Sequence, residues 1–144
     1  MDRLIVDGYN VTHAWPELKE LMRVSLEAAR DRLIERLATY AQVRSADVTV
    51  VFDAHRTSAA SNSRQDVDGV HVVFTRRGHS ADHAIERLAY SLAGDGEPII
   101  VATSDRFQRD LVRGMGGAVI SALELERRVI DAEHEITRRV QRYQ

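Results

Sequence analysis

Short apolar runs and helical patterns take turns along almost the whole of this chain, and that alternation restricts its fold more than any other feature. The stretches "RLIV" (3–6), "DVTVVFDA" (47–54), "GVHVVFTR" (69–76), "PIIVATS" (98–104) and "AVIS" (118–121) read as five strands. They are continuous and mostly β-branched, as strands buried on both faces are. Helical patterns fill most of the gaps. "WPELKELMRV" (15–24) tolerates Pro16 in a first turn. Ser25 can cap a helix with Leu26, Ala29, Leu33, Leu37 and Tyr40 on one face, and Ser80 one with Ala81, Ala84, Ile85, Leu88 and Leu92 inward. "DRFQRDLVRGM" (105–115) stops at Gly116 and Gly117, and Ser121 with Glu124 forms a capping box opening a last helix, about 122–143. Strands separated by helices predict an α/β fold whose central, mostly parallel sheet of about five strands is covered on both faces. One step lacks a helix: "HRTSAASNSRQDVDG" (55–69) is polar and small, and predicts a mobile loop or a short helix.

Composition narrows the class. The 144 residues are 44% hydrophobic, enough for the core of one domain over 1–144. The absence of cysteine excludes disulfides, zinc–thiolate sites and thiol catalysis. No charged-then-apolar leader and no apolar run near the roughly 20 residues of a membrane span occur, so the expectation is a cytoplasmic protein with no membrane partner. A net charge of −2 excludes a strongly basic nucleic-acid binder. Lys19 is the sole lysine, and the other basic residues are arginines. A GC-rich genome is enough to explain that bias; forked contacts of guanidinium with phosphate are the sharper explanation.

The strand ends carry the chemistry. In an open parallel sheet the carboxyl ends share one edge, and ligands bind in the crevice outside it. Asp7 ends the first strand in "IVDGYN", followed by Gly8 and Asn10, which suit a turn. Asp53 ends the second, Asp82 follows the third on the first turn of a helix, and Asp105 follows the fourth. Glu86 lies four residues after Asp82, on the same helical face. Each aspartate by itself is an ordinary turn or cap residue. Their convergence is what points to a site, because clustered carboxylates repel until a proton or a cation relieves them. An oxygen-only donor set suits Mg2+ or Mn2+, ions that assist phosphodiester hydrolysis. Asn10, Thr103 and Ser104 are polar neighbours able to support the acids. Arg76 and Arg77 could grip phosphate, and Arg56 and Arg64 in the loop could contact an RNA backbone or a ribosome. His79 and His83 have a zinc-compatible spacing but no third ligand. No G-x-G-x-x-G, no P-loop and no D-x-D after the first strand supports a nucleotide-binding protein or phosphatase.

Five motifs in order, "LIVDGYNV", "VVFDAH", "GHSADHAIERL", "IIVATSD" and "GAVISALELERRV", resemble the YacP-like branch of the NYN domains, which are similar to PIN-domain nucleases. The resemblance covers about residues 3–130. It implies a PIN-like three-layer sandwich and a metal-dependent endoribonuclease acting on single-stranded RNA, in a branch associated with messenger RNA cleavage and with ribosomes. Matched by position, the family's catalytic and metal-holding acids correspond to Asp7, Asp82 and Asp105, with Asn10, Asp53 and Glu86 in supporting places. His79 departs from the pattern, since relatives commonly carry an acid there, and it is expected to face substrate. The other reading is a non-catalytic module of the same fold that binds RNA or the ribosome.

Overall fold

A computed structural model describes residues 2–53, 63–75 and 80–143. In chain order the elements are β1 (Arg3–Asp7), α1 (Gly8–Ala14), α2 (Pro16–Met22), α3 (Leu26–Arg44), β2 (Asp47–Phe52), β3 (Ser63–Val67), β4 (Val70–Phe74), α4 (Ala81–Ala93), β5 (Ile99–Ala102), α5 (Arg106–Gly114), β6 (Ala118–Ile120) and α6 (Ala122–Arg142). The six strands form one sheet in the order β3-β4-β2-β1-β5-β6. Every pairing is parallel except that of β3 with β4. The α/β architecture with a mostly parallel sheet is therefore as the alternation predicts.

Two faces of the sheet build two cores. Leu4 and Val6 of β1 and Val48, Val50 and Phe52 of β2 point to one side, where Leu33 and Leu37 of α3 and Leu125 and Val129 of α6 cover them. Ile5 and Val51 point to the other, under Ile85 of α4 and Val112 of α5. Adjacent strand residues thus serve opposite cores, so the strands are apolar throughout instead of alternating. Trp15, fully buried between α1 and α2, donates its indole N–H to the Ala122 carbonyl at 2.7 Å and ties the start of α6 to the first helices. Arg36 of α3 lies 4.9 Å over the Trp15 ring and grips Glu133 of α6 with two nitrogens, at 2.9 and 3.1 Å. Serine caps hold as read: Ser25, Ser80 and Ser121 accept from the Ala28, His83 and Glu124 amides.

Three expectations are corrected. The sheet has six strands, because residues 63–67, expected in a loop or short helix, form edge strand β3. Val67 faces Val70 across a two-residue turn, and its Asp68 and Gly69 both have positive φ, at 50° and 88°. An Asp-Gly pair is the preferred sequence for that turn. The signal was obscured because "SRQDV" is polar on both faces, as suits an exposed sheet edge. Residues 55–62 of the same segment lie outside the described residues. The third correction concerns Gly8 and Asn10, which form no turn: α1 starts directly at Gly8. Among the described residues, no helix is long and apolar enough to cross a membrane.

Candidate functional site

Strand order decides where a site can form. From β1 the chain moves through α3 to β2 and β4, then returns through α4 to β5, on the other side of β1. The crevice between the carboxyl ends of β1 and β5 is therefore a topological switch point, where side chains of neighbouring loops diverge and leave room for a ligand. Asp7 closes β1, and Thr103, Ser104 and Asp105 follow β5, so these residues flank that crevice.

Each acid is held by its local structure. Asp7 occupies the N-cap position of α1 but makes no capping bond of good geometry. The Asn10 amide N–H still favours its charged form, as does a hydrogen bond from the Thr103 hydroxyl. Those two effects lose to burial and to the charges of Asp82 and Asp105, which together push the Asp7 carboxyl up to about 6. The Asp82 carboxyl is also raised, first by desolvation and then by the charges of Asp105 and Asp53. Asp105 caps α5 by accepting from the Gln108 amide at 2.9 Å, and its own amide donates to Thr103 Oγ1 at 3.1 Å. The cap is the ordinary use of an aspartate, and it engages Oδ1.

Gln108 was not among the residues that sequence reasoning selected. It is 2% exposed, and its Nε2 donates to Asp82 Oδ1 at 2.5 Å while its backbone N–H serves Asp105. One residue therefore couples the acid of α4 to the acid of α5. Its Oε1 has no hydrogen-bond partner among the described residues. A polar residue three positions into an otherwise amphipathic helix, on the face that packs inward, was the available signal.

Asn10 supports the rim through the loop after β5. Its amide nitrogen donates to Ser104 Oγ, and its Oδ1 accepts from the Ser104 amide at 3.2 Å. Both ends of the side chain are thus used to lock the loop after β5 onto the start of α1, which sets the spacing of Asp105 from Asp7. Thr103 is fully buried beneath them. Asp53 follows β2 and lines the same cleft as Asp7 and Asp82, a cavity of about 420 Å³. Glu86 lies one turn past Asp82 on α4 and is half-buried; the charges that act on Asp7 and Asp82 come from the aspartates instead. Arg64 is on edge strand β3, where it pairs with Asp66 at 3.6 Å and reaches His71 Nδ1 at 2.9 Å. Arg56, Arg76, Arg77 and His79 lie outside the described residues.

The donor chemistry suits a hard divalent cation in part. Asp7, Asp82 and Asp105 offer anionic oxygens and form no ion pair among the described residues; the charges of Asp82 and Asp105 raise the proton affinity of Asp7, and that of Asp105 raises Asp82's. However, no three His, Asp or Glu side chains among the described residues stand close enough to form a ready-made ligand set. What the carboxylates share is an electrostatic field.

Comparison with known proteins places the chain in a family. A profile of the YacP-like NYN domain matches residues 4–144. The chain is 43% identical over 142 residues to a protein of Bacillus subtilis (strain 168) described as "Uncharacterized protein YacP", covering 99% of this chain and 83% of that one. The crystal structure of Rae1 (YacP) from Bacillus subtilis superposes with a TM-score of 0.85 at 43% identity, covering 99% of this chain and 82% of that chain. Its W164L mutant gives 0.84 at 42% identity, with 99% and 84% covered.

Proposed function

The chain belongs to the YacP-like NYN domain family, and from that premise we propose that it is a divalent-metal-dependent endoribonuclease cleaving single-stranded RNA. One observation carries the reading: acids from three separate stretches of chain border the switch point, Asp82 and Asp105 linked through Gln108 and the charges of both acting on buried Asp7. Acids that only capped or turned the backbone would have no reason to converge.

Asp7, Asp82 and Asp105 would hold Mg2+ or Mn2+. Such an ion supplies positive charge against a phosphodiester and makes a nearby water more acidic. The chain's own part is positional. Asn10 and Ser104 fix the β5–α5 loop, Gln108 fixes Asp82, and the strained charge of Asp7, buried beside two other acids, is one that a cation would relieve. Asp53 adds a further oxygen on the cleft side. An open crevice at a sheet edge admits a single strand with unstacked bases more readily than a duplex. Messenger RNA presented on a ribosome is the substrate class proposed, after the associations of the YacP-like branch.

The test is incubation with end-labelled single-stranded RNA and its matched duplex, with Mg2+, Mn2+ or EDTA. Cleavage of the single strand only, with metal only, leaving 5′-phosphate and 3′-hydroxyl ends, is expected. Repeating the assay with translating ribosomes tests presentation. The absence of a ready-made ligand set favours one competing reading, a module that binds RNA and cuts nothing. RNA bound equally well by wild type and Asp105→Asn, with no products under any metal, would establish that reading instead.

Gln108 gives a separate prediction. Gln108→Met keeps the volume and removes both the amide donor to Asp82 and the unpartnered Oε1. Losing a bond to a carboxylate and an unsatisfied acceptor together should nearly cancel, leaving stability within about 1 kcal/mol of wild type. Cleavage should fall about tenfold, because Asp82 is no longer oriented. Unchanged kcat at saturating Mn2+ would show that Asp82 needs no such support.

A further inference from the structure

The cleft beside the acids has a second side that the reaction does not use. Besides Asp7, Asp53 and Asp82 it is lined by Tyr9 and His13 of α1, Met22 of α2 and Leu26 of α3. Resting on the nuclease reading above, we infer that this apolar side is a subsite for one unstacked nucleobase, that of a nucleotide next to the phosphate being cut.

Charge selects the part of a nucleotide that fits. Three aspartates border the cleft, so a phosphate would meet repulsion in it, whereas a neutral planar base would not. The volume, about 420 Å³, lies within the range of small-ligand sites. Tyr9 is built as a fixed wall. Its ring packs on Phe52 with centroids 5.3 Å apart, and its hydroxyl accepts from Arg30 Nη1 at 3.2 Å. Arg30 is itself anchored over the Phe74 ring at 5.5 Å. A ring held by a neighbouring ring and by its hydroxyl offers stacking at little entropic cost, which is how single-strand binders engage bases. Met22, with its unbranched and polarizable side chain, can adapt to purine or pyrimidine. His13 lies one turn after Tyr9 on the same helical face and is exposed, so it can reach a base edge. Tyr9 follows Asp7 by two residues, which ties the subsite to the acid rim through the backbone itself.

The subsite predicts a preference at one position of the substrate. RNA oligonucleotides carrying a single abasic ribose at successive positions around the cut are assayed with wild type, Leu26→Trp, which fills the cleft, and Tyr9→Leu. With wild type, one position next to the cut should show about a tenfold loss in kcat/KM, and both variants should erase that position dependence. A flat abasic profile in wild type, or a penalty that persists in both folded variants, overturns the inference. A second arm needs no cleavage: ligand-observed NMR with the four nucleoside 5′-monophosphates in EDTA. Base protons should receive saturation from wild type and not from Leu26→Trp, with melting curves as the check on folding and Met22→Ala in reserve should the tryptophan variant unfold. No base signal with any of the four overturns the subsite even where RNA is cut. A base signal without any RNA cleavage leaves the subsite standing and rejects the nuclease.

Discussion

Asp7→Asn is expected to fold, to gain stability in chelator, and to lose RNA cleavage by about a thousandfold, or about 4 kcal/mol of transition-state stabilisation. Asparagine keeps the shape and the backbone preferences of the N-cap, so α1 should form as before. What changes is the charge. The Asp7 carboxyl is raised from 3.8 to about 6 by burial and by its acidic neighbours. A group whose folded value exceeds its unfolded value binds its proton more tightly in the native state, so ionising it destabilises the fold. That penalty is fully present above pH 6 and fades as pH falls through 6 toward 3.8. At pH 7 it is on the order of 2–3 kcal/mol. Metal-free wild type should therefore become more stable between pH 7 and pH 5, while Asp7→Asn starts higher and shows a flatter dependence. Urea denaturation in EDTA at several pH values measures both slopes. Parallel curves would mean that the carboxyl is not strained, and wild-type cleavage by the variant would remove Asp7 from the reaction.

Gly8→Ala should be the most damaging single methyl in the site. A Cβ there would stand 2.5 Å from two atoms of the Phe52 ring and 2.9 Å from the Val51 carbonyl oxygen. Phe52 is fully buried, with Tyr9 and Phe74 rings 5.3 and 5.5 Å away, so it has nowhere to swing. The carbonyl belongs to the strand paired with β1 and cannot retreat without breaking the ladder. Overpacking of this kind costs about 1–3 kcal/mol, and the backbone contact places Gly8→Ala at the upper end, well above alanine's helical advantage of about 1 kcal/mol. Chemical denaturation measures it. The double variant Gly8→Ala with Phe52→Leu should recover part of the loss, a non-additivity expected only if the two side chains compete for one space. A stable Gly8→Ala protein would place the constraint elsewhere.

Some of this was legible in the chain and some was not. Strand and helix alternation identified the layers because each element must bury one face, and the serine caps marked the helix starts. The hairpin of β3 escaped because its strand is an edge: exposed to water on both sides, "SRQDV" has no apolar period to read, and only Asp68-Gly69 betrays it. Gln108 escaped because a buried amide has no pattern of its own; its importance comes from two carboxylates that reach it from elsewhere. Asn10 was recognised by place but not by partner, since Ser104 is 94 residues away.

By itself the sequence determined the elements, the parallel class of the sheet and the fact that acids follow its strands, because those depend on local periodicity, capping and short-range geometry. The tertiary structure alone decided which acids share one rim. Strand order β4-β2-β1-β5 puts Asp7 and Asp105 on either side of the switch point, packing of α4 on α5 brings Asp82 to Gln108, and close approach of α1 to β2 forces glycine at position 8. Such encounters join residues far apart in the chain, and no local preference encodes a distance between them.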